Sequence, residues 1–435
     1  MTQVTAISIL VLTIGLSLGR PRVGQLTIGH AVAAVLGALL CVILGVLPAA
    51  AALKAVAFLV VPLITITSLM VITLVAEQAG LFEFIAFAMA RAARGSGMAL
   101  FTYIFFVGSL TGTVFTNDTA VLIFTPLVVG LIKQVQGPNW TSNNKLPFYF
   151  AVLYVANVVG ALVISNPINI IVSRYFNISF LDYARWMILP ATVSIITTYF
   201  GLRFFFRHDI PQTIQPYQQV DFSHRNHTAM VICGMVMFLT LLAFFSEPFT
   251  GIPVWQVAPA SALLMLILHG FLSTSGYQPI ATGIGWDVLI FVVGIFIVAS
   301  GIQNSGLTDK LGEQLLYFSG GSQFGLIGAT SITASGLAAI MNNHPSADTM
   351  AMVVQDMGLP ASDTKIAALA SLIGGDLGPK MLPTGSLAAL MWFRILRARG
   401  IHISYWTYIK IGVPVTIAAV VLSVATLCVE LQLSG

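Results

Sequence analysis

Charged side chains are scarce in this chain, which has 435 residues of which only 8% are Asp, Glu, Lys or Arg. An ordinary soluble domain carries about 25% charged residues, so this chain lacks the polar surface that coats a water-soluble globule. Its 19 Lys and Arg residues and net charge of +4 are too few to form a nucleic-acid-binding face. The shortage of charge excludes a soluble enzyme, a disordered chain and a nucleic-acid partner.

Cysteine is almost absent too. Cys41, Cys233 and Cys428 lie far apart in apolar runs, so they form neither a disulfide framework nor a metal site with recognisable spacing. The chain also lacks a nucleotide-binding glycine loop and a His-Glu-x-x-His motif. Intramembrane aspartyl proteases need Gly-x-Gly-Asp, whereas residues 373–376 read IGGD. We therefore expect no metal, no cofactor and no enzymatic activity.

Apolar residues are abundant: 57% of the chain is hydrophobic and the mean hydropathy is +0.94. A hydrocarbon core about 30 Å thick needs roughly 20 helical residues. The first apolar stretch is followed, not preceded, by Arg20 and Arg22, so we interpret it as a membrane helix and not as a signal peptide. The predicted crossings are 3–18, 28–47, 53–76, 147–173, 186–206, 228–246, 253–271, 284–303, 363–393 and 405–431.

Two further apolar stretches, 98–132 and 323–357, are interrupted by polar residues at Asn117-Asp118 and at Asn342-Asn343. Each arm has about 15 residues or fewer by this division, which is too short to cross the bilayer. We therefore predict two re-entrant hairpins. Amphipathic segments precede each hairpin and are expected at the membrane interface.

The two halves of the chain match when one is shifted by 225 or 226 residues. Asn117-Asp118 falls on Asn342-Asn343, and two further short motifs match in the same order. Each half has five crossings and a hairpin, and an odd number of crossings inverts the second copy. We predict an all-α polytopic membrane protein of about ten transmembrane helices in two inverted repeats of five. The repeats are 1–207 and 228–435, joined by a cytoplasmic linker at 208–227.

The basic residues predict the orientation. With the N- and C-termini outside, cytoplasmic segments hold twelve Lys and Arg residues and outer segments hold five. This asymmetry follows the positive-inside rule. Only Lys380 is placed at membrane depth.

Polar residues also interrupt two of the predicted crossings. Asn166 and Asn169 flank a proline within 147–173, whereas Asp376, Lys380 and Thr384 lie in a Gly- and Pro-rich run within 363–393. Proline and glycine favour unwinding, and unwound backbone in a membrane is tolerated only around a cavity. Inverted halves with opposed hairpins and broken helices are typical of secondary transporters.

These residues also have structural interpretations. The asparagines can join helices by hydrogen bonds. Lys380 can neutralise Asp376 in a static ion pair. His344 is expected to hydrogen-bond at its loop tip in preference to carrying protons, and the cysteines are expected to pack in the core.

Three motifs resemble the arsenical pump membrane proteins, a family of the ion transporter superfamily. They are FTNDTAVLIFTP at 115–126, IMNNHP at 340–345 and GDLGPKMLPTGSLA at 375–388, and shorter matches stand at 207–212 and 403–406. The resemblance covers almost the whole chain. It implies export of trivalent arsenic or antimony in exchange for protons across a prokaryotic inner membrane, optionally energised by a cytoplasmic arsenite-stimulated ATPase subunit.

The chain departs from this family at one point. The family often has Ala-Asp-Thr-Ala-Ser where this chain has Ala156-Asn157, and Asn157 cannot titrate. Asn166-Pro167 is closer to the sodium/proton antiporters of the superfamily, which remain the alternative. A dicarboxylate transporter is a less favoured one.

The resemblance assigns roles to the polar residues. Arsenite near neutral pH is a trihydroxide, which amides, hydroxyls and backbone groups can bind by hydrogen bonds. Asn117, Asn166, Asn169, Asn342, Asn343 and Thr384 are the expected substrate-binding residues. Asp118 and Asp376 are the expected proton-coupling residues, with Lys380 modulating Asp376.

Overall fold

The computed structural model describes residues 2–23, 26–155, 158–216, 227–273 and 276–434. These are helical apart from loops and two antiparallel two-residue strands, β1 (Arg22–Val23) and β2 (Leu26–Thr27). The helices in chain order are α1 (Thr2–Gly19), α2 (His30–Ile43), α3 (Ala49–Gln78), α4 (Leu81–Ala92), α5 (Gly97–Val114), α6 (Asn117–Val135), α7 (Ser142–Val155), α8 (Pro167–Tyr175), α9 (Phe180–Phe205), α10 (His227–Phe245), α11 (Glu247–Thr250), α12 (Val254–Leu272), α13 (Gln278–Gly283), α14 (Trp286–Asn304), α15 (Leu307–Phe318), α16 (Gln323–Met341), α17 (Asn343–Asp356), α18 (Ala361–Leu377), α19 (Leu387–Arg397) and α20 (Tyr405–Ser434). The all-α prediction is confirmed.

Within the described ranges, nine helical segments have the length and hydropathy to cross a membrane. Seven of them correspond to predicted crossings, and the other two are the first arms of the predicted hairpins, α5 and α16. The remaining predicted crossings are α2, with 14 residues, and the two broken helices. The chain therefore has the helices of a polytopic membrane protein.

The hairpin arms are longer than predicted. They have 18, 19, 19 and 14 residues in α5, α6, α16 and α17. The expectation of about 15 or fewer is wrong for three of them, because the helices continue up to the polar tips. Ser96 and Ser322 also cap α5 and α16 at the hairpin bases by accepting hydrogen bonds from Ala99 N and Gly325 N.

Backbone hydrogen bonds show that the first interrupted stretch reverses direction. The segment after α9 binds both ends of the α5–α6 pair: Ile214 N donates to Gly95 O at 2.9 Å, and Gln215 N donates to Val135 O at 2.8 Å. The start of α5 and the end of α6 are therefore neighbours. The helices α5 and α6 are thus antiparallel, and the chain returns to the face from which it entered.

The two hairpins have their bases on opposite faces of the molecule. Asp356, at the end of α17, accepts hydrogen bonds from Gln303 and Thr308, at the end of α14 and the start of α15. Lys365, at the start of α18, forms an ion pair with Asp182 at the start of α9, with 3.0 Å between Nζ and Oδ2. The start of α9 and the base of the second hairpin therefore share one face. The 26 residues of α9 lead to the opposite face, where the segment after α9 binds the base of the first hairpin.

The two halves repeat the same local geometry at an offset of 226. Gly80 and Gly306 precede α4 and α15 with φ of +85° and +75°, and Ser96 and Ser322 cap the next helix in each half. This offset pairs Asn117 with Asn343 and Asp118 with His344, the first two residues of α6 and α17. The sequence match at an offset of 225 instead pairs Asp118 with Asn343.

Among the residues that the structure describes, apolar side chains form three buried clusters. The first surrounds α4–α7 and α19, the second lies around α8, α17 and α18, and the third joins α1, α2, α3 and α14. Large apolar side chains are also exposed around the outside, including Phe238, Phe271 and Leu263. Such a surface is suited to contact with lipid.

Candidate transport site

Both predicted broken helices are interrupted. The first ends at Val155 in α7, passes through a 3₁₀ turn at Val163–Ser165 and resumes as α8 at Pro167. The second ends at Leu377 in α18, passes through a 3₁₀ turn at Gly378–Lys380 and resumes as α19 at Leu387. Pro167 follows the first 3₁₀ turn, and Pro379 lies within the second. Each lacks the backbone N–H that a continuous helix would need at that position. Residue 157, whose departure from the family pattern was noted above, lies outside the described residues.

Asp376 connects the two breaks. Its side chain is fully buried, and three N–H groups of the other half donate to it. Asn166 Nδ2 lies 2.7 Å from Oδ1, while Gly160 N and Asn169 Nδ2 lie 2.9 Å and 3.4 Å from Oδ2. An ionised carboxylate is a pure acceptor, so this donor set suits it. We call Asp376 with Gly160, Asn166 and Asn169 the central cradle.

Gly160 is the tightest point of the central cradle. A methyl group there would lie 2.3 Å from both Asn169 Nδ2 and Ser165 Oγ. The Gly160 carbonyl accepts a hydrogen bond of 3.0 Å from the buried Tyr183 hydroxyl. The residue therefore needs to be glycine so that its N–H can approach Asp376 while the carbonyl is held from α9.

Lys380 does not pair with Asp376. The ammonium sits 5.1 Å from the centre of the Tyr154 ring, a cation–π geometry, and it is within electrostatic range of Asp376 without a hydrogen bond to it. The side chain is only 1% exposed, and Nζ finds no hydrogen-bond partner in the described structure. The predicted static ion pair is thus replaced by the cradle on one side and an aromatic contact on the other.

The second hairpin tip has an unusual backbone. Asn342 has φ +83° and ψ 158°, a conformation that L-residues rarely adopt. The backbone N–H of His344 donates to the side-chain oxygens of Asn342 and Asn343, at 3.4 Å and 3.1 Å. The Asn342 amide nitrogen is buried and has no partner among the described residues. It is available for a ligand.

The His344 ring does not behave as expected. It is 1% exposed, and neither ring nitrogen has a hydrogen-bond partner among the described residues. The ring packs edge-on against Phe291, with 5.9 Å between centroids. At the tip His344 therefore hydrogen-bonds through its backbone N–H, and the expectation is wrong for its ring.

Three other predicted site residues have different outcomes. Asn117 and Asp118 begin α6 at the first tip, but their side chains lie outside the described part of the structure. Thr384 is exposed between the 3₁₀ turn and α19. The structure thus joins Asp376, Asn166 and Asn169 directly and does not bury Thr384 with them.

Glycines bring α16 against the second break. A methyl group at Gly374 would lie 2.1 Å from Ser331 O, and one at Gly378 would lie 2.3 Å from Ser335 O. The backbone of the hairpin arm therefore rests directly on the backbone of the broken helix. A shift of the second hairpin has to move the 376–380 segment with it.

A cavity of about 430 Å³ opens at the face that carries the base of the first hairpin. Its charged lining residues are Arg20, Glu77, Asp287 and Arg394, and its inner wall includes Leu122 of α6. Burial and the Arg394 guanidinium lower the pKa of Arg20, whereas Asp287 raises it. The cavity therefore runs from a charged rim to the half-helices that begin at the first tip and the second break.

Sequence reasoning missed Asp348, Gly160 and Tyr154. Asp348 is a carboxylate inside the apolar second arm of a hairpin, and that sequence signal was sufficient to single it out. Gly160 has no such signal, because its role depends on a contact with a residue 216 positions away. The same holds for Tyr154 beside Lys380.

The cysteines are confirmed as packing residues. Cys41 and Cys233 are buried in the third and first apolar clusters, and Cys428 packs against the second. Among the described residues, no three His, Cys, Asp or Glu side chains are grouped so as to hold a metal ion. Three thiolates cannot meet around one arsenic atom in this arrangement.

Comparison with known proteins agrees with this architecture. The chain is 29% identical over 374 residues to the arsenical pump membrane proteins of Escherichia coli (strain K12), covering 84% of this chain and 85% of that protein, and of Yersinia enterocolitica, covering 85% and 86%. Its fold is similar to the YdaH transporter of Alcanivorax borkumensis, with a TM-score of 0.58 and 17% identity over 100% of this chain and 98% of that one. The family model described as arsenical pump membrane protein matches residues 5–431. The chain therefore belongs to the arsenical pump membrane protein family and is a multi-pass membrane transporter.

Proposed function

We propose that the protein exports arsenite and antimonite, as neutral trihydroxides, from the cytoplasm in exchange for protons. The observation that carries the proposal is the central cradle, a buried polar junction between two broken helices in a chain of this family. The cradle lies between two hairpins of opposite direction, an arrangement that suits alternating access. A proton gradient is sufficient in this proposal, and a cytoplasmic ATPase subunit is an optional partner.

The unpartnered polar atoms near the breaks suit a small neutral trihydroxide. Asn169 Oδ1 can accept a hydrogen bond, and Asn342 Nδ2 can donate one; both atoms are buried without partners among the described residues. The helices α6, α8, α17 and α19 all begin at a tip or a break, so their first N–H groups add donors. Hydroxyl groups both donate and accept, so the trihydroxide satisfies both kinds of atom. We keep Asn117, Asn166 and Asn343 in the proposed binding set.

Thiolates play no part in the proposed site, and this gives a test. Replacing Cys41, Cys233 and Cys428 together by Ala is expected to leave arsenite transport within about twofold of the unmodified protein, because the three sulfurs lie in separate apolar clusters. The measurement is arsenite uptake into vesicles at matched protein levels. Loss of transport by a properly folded triple variant would make sulfur a ligand.

Asp118 is the proposed coupling residue of the first half. It begins a half-helix at the tip of the first hairpin, and its ionisation would bias the two conformations differently. Asp118→Asn is expected to abolish proton-driven accumulation and to retain downhill exchange. We also propose that the face with the cavity is cytoplasmic and that both termini lie outside, since Arg20 and Arg394 follow the positive-inside rule.

The function is tested with purified protein in vesicles that have an acidic lumen. Protons leaving the vesicle should draw arsenite in, and a protonophore should stop this accumulation. Sodium and a dicarboxylate are the comparison solutes. Sodium-dependent proton movement without a response to arsenite would instead identify a sodium/proton antiporter.

A further inference from the structure

The second arm of the second hairpin carries a titratable pair that the proposed site does not use. His344 and Asp348 are four residues apart in α17 and therefore lie on the same helix face. Both side chains are 1% exposed. Neither ring nitrogen of His344 and neither carboxylate oxygen of Asp348 has a hydrogen-bond partner among the described residues.

Asp348 and Asp376 are both buried carboxyl groups, but they differ in their hydrogen-bond donors. Asp376 receives three N–H donors from the opposite half, so its anionic form has hydrogen-bond partners. Asp348 receives none, and an ionised carboxylate buried without donors costs several kcal/mol. The conformation of the structure is consequently compatible with Asp348 only when the carboxyl group carries a proton.

The helices packed against α17 provide no counter-charge for Asp348. These helices are α8, α14, α15, α16 and α18. Tyr175 of α8 is within electrostatic range of Asp348, and its hydroxyl donates a hydrogen bond to Gln355. The other titratable and charged residues of these helices are exposed or bound to other groups. These residues are Arg174, Asp287, Asp309, Lys310, Glu313, Tyr317, Asp363, Lys365 and Asp376. On α17 itself, Asp356 is engaged by Gln303 and Thr308.

The cavity approaches this pair through His30 and Phe291. His30 lines the cavity and bonds to Arg20 and, at 2.6 Å, to Ser17 Oγ. The Phe291 ring packs edge-on against both His30 and His344, with 5.9 Å between centroids in each case. The Phe291 ring therefore separates His30, which lines the cavity, from the buried His344.

We propose that Asp348, assisted by His344, is a proton-binding site of the second half, separate from the central cradle and reached from the cavity past Phe291. A proton adds to one carboxylate oxygen and leaves from the same oxygen, so no other reactant is needed. Protonated Asp348 favours the buried state of α17, whereas the anion favours a state in which α17 shifts toward water. Since α17 packs against both α8 and α18, the proton is linked to the two broken helices.

The offset of 226 between the halves supports this assignment. It pairs His344 with Asp118, so each half has a titratable residue at the second position after its hairpin tip. The inference rests on the proposed proton exchange only for its link to transport. The proton site itself can be tested without arsenite.

The first test is infrared spectroscopy of the protein in vesicles across a pH series. The unmodified protein and the control Met350→Leu, a buried neighbour on α17, should show the carbonyl band of a protonated buried carboxyl near neutral pH. Asp348→Asn should lose that band, and Asp348→Glu should keep one. His344→Gln should move its pH midpoint. A band unchanged in Asp348→Asn overturns the proposal, and an unchanged midpoint removes His344 from the site.

The second test separates the proton site from the substrate. Asp348→Asn should retain downhill arsenite exchange and lose accumulation driven by an acidic lumen by about tenfold or more, while Asp348→Glu restores it. Coupled accumulation by Asp348→Asn at the unmodified rate would contradict the linkage. If the unmodified protein carries no arsenite, the proposed function fails and the infrared result still decides the proton site.

Discussion

At the residue scale, Asp376 joins two helix breaks that come from different halves of the chain. Its carboxylate binds a backbone N–H and two amide groups across a sequence distance of more than 200 residues. Hydrogen bonds to a charged group contribute about 1.5–3 kcal/mol each at most. The cradle is therefore a structural junction as well as a polar surface for a ligand.

Asp376→Asn should damage the junction because the new amide nitrogen would face other N–H donors. We expect a loss of about 2–4 kcal/mol in unfolding free energy and at least about tenfold lower transport. Adding Lys380→Met should not rescue it, because it leaves the clash between the new amide and the donors of the central cradle in place. Thermal unfolding in detergent and arsenite uptake measure the two effects, with exposed Asp309→Asn as the matched control. Rescue by the double change would restore the ion-pair hypothesis.

Gly160→Ala tests the fit of the central cradle. The added methyl group would overlap Asn169 and Ser165 and should push the Gly160 N–H away from Asp376. Gly328→Ala in α16 is the control, because a methyl group there meets no atom within 4 Å. We expect Gly160→Ala to lose transport by about tenfold or more and Gly328→Ala to be neutral or slightly stabilising. Equal behaviour of the two variants in uptake and melting would argue against the cradle geometry.

The sequence predicted the residues at the breaks better than their partners. Asp376, Asn166 and Asn169 are recognisable because polar groups are costly at membrane depth. Which donor meets which acceptor depends on how two distant segments pack, so Lys380 was wrongly paired and Gly160 was missed. The same reasoning applies to Asp348, a carboxylate within the apolar second arm of the hairpin.

At the element scale, the reversal of the chain within each hairpin distinguishes it from a membrane crossing better than the lengths of its arms do. The arms have 14 to 19 residues, and hydropathy alone would accept two of them as crossings. The sequence predicted the hairpins from their polar tips, but the reason it gave, arms too short to cross, is wrong for three of the four arms. Hydrogen bonds from residues 214 and 215 to the two ends of the first hairpin establish the reversal of the chain there.

A disulfide can test the base of the first hairpin. Ser96 and Thr213 are paired in an isolated antiparallel bridge, within the Cα spacing that a disulfide spans. Ser96→Cys with Thr213→Cys, in a chain without its native cysteines, should cross-link rapidly on mild oxidation. Ser322→Cys with Thr213→Cys is the matched control, because Ser322 holds the equivalent position on the opposite face. Electrophoresis without reductant reads the result, and cross-linking of only the control pair would refute the arrangement.

At the scale of the whole molecule, two halves with the same order of helices place their hairpins on opposite faces. The internal sequence matches predicted this organisation, since each half needs an odd number of crossings to invert the next. The cavity at one face was not predictable, because it depends on the conformation of α6 and α19. The conformation of this structure has a cavity of about 430 Å³ on one side. In our proposal it is one state of an alternating-access cycle.

We propose that a proton gradient alone drives arsenite through this protein. The most direct measurement is arsenite accumulation by vesicles containing only the purified protein, with an acidic lumen and no ATP. We expect accumulation above the outside concentration, its collapse on adding a protonophore, and its loss in Asp118→Asn with downhill exchange retained. Arsenite that equilibrates at the same rate with and without the gradient would contradict the claim.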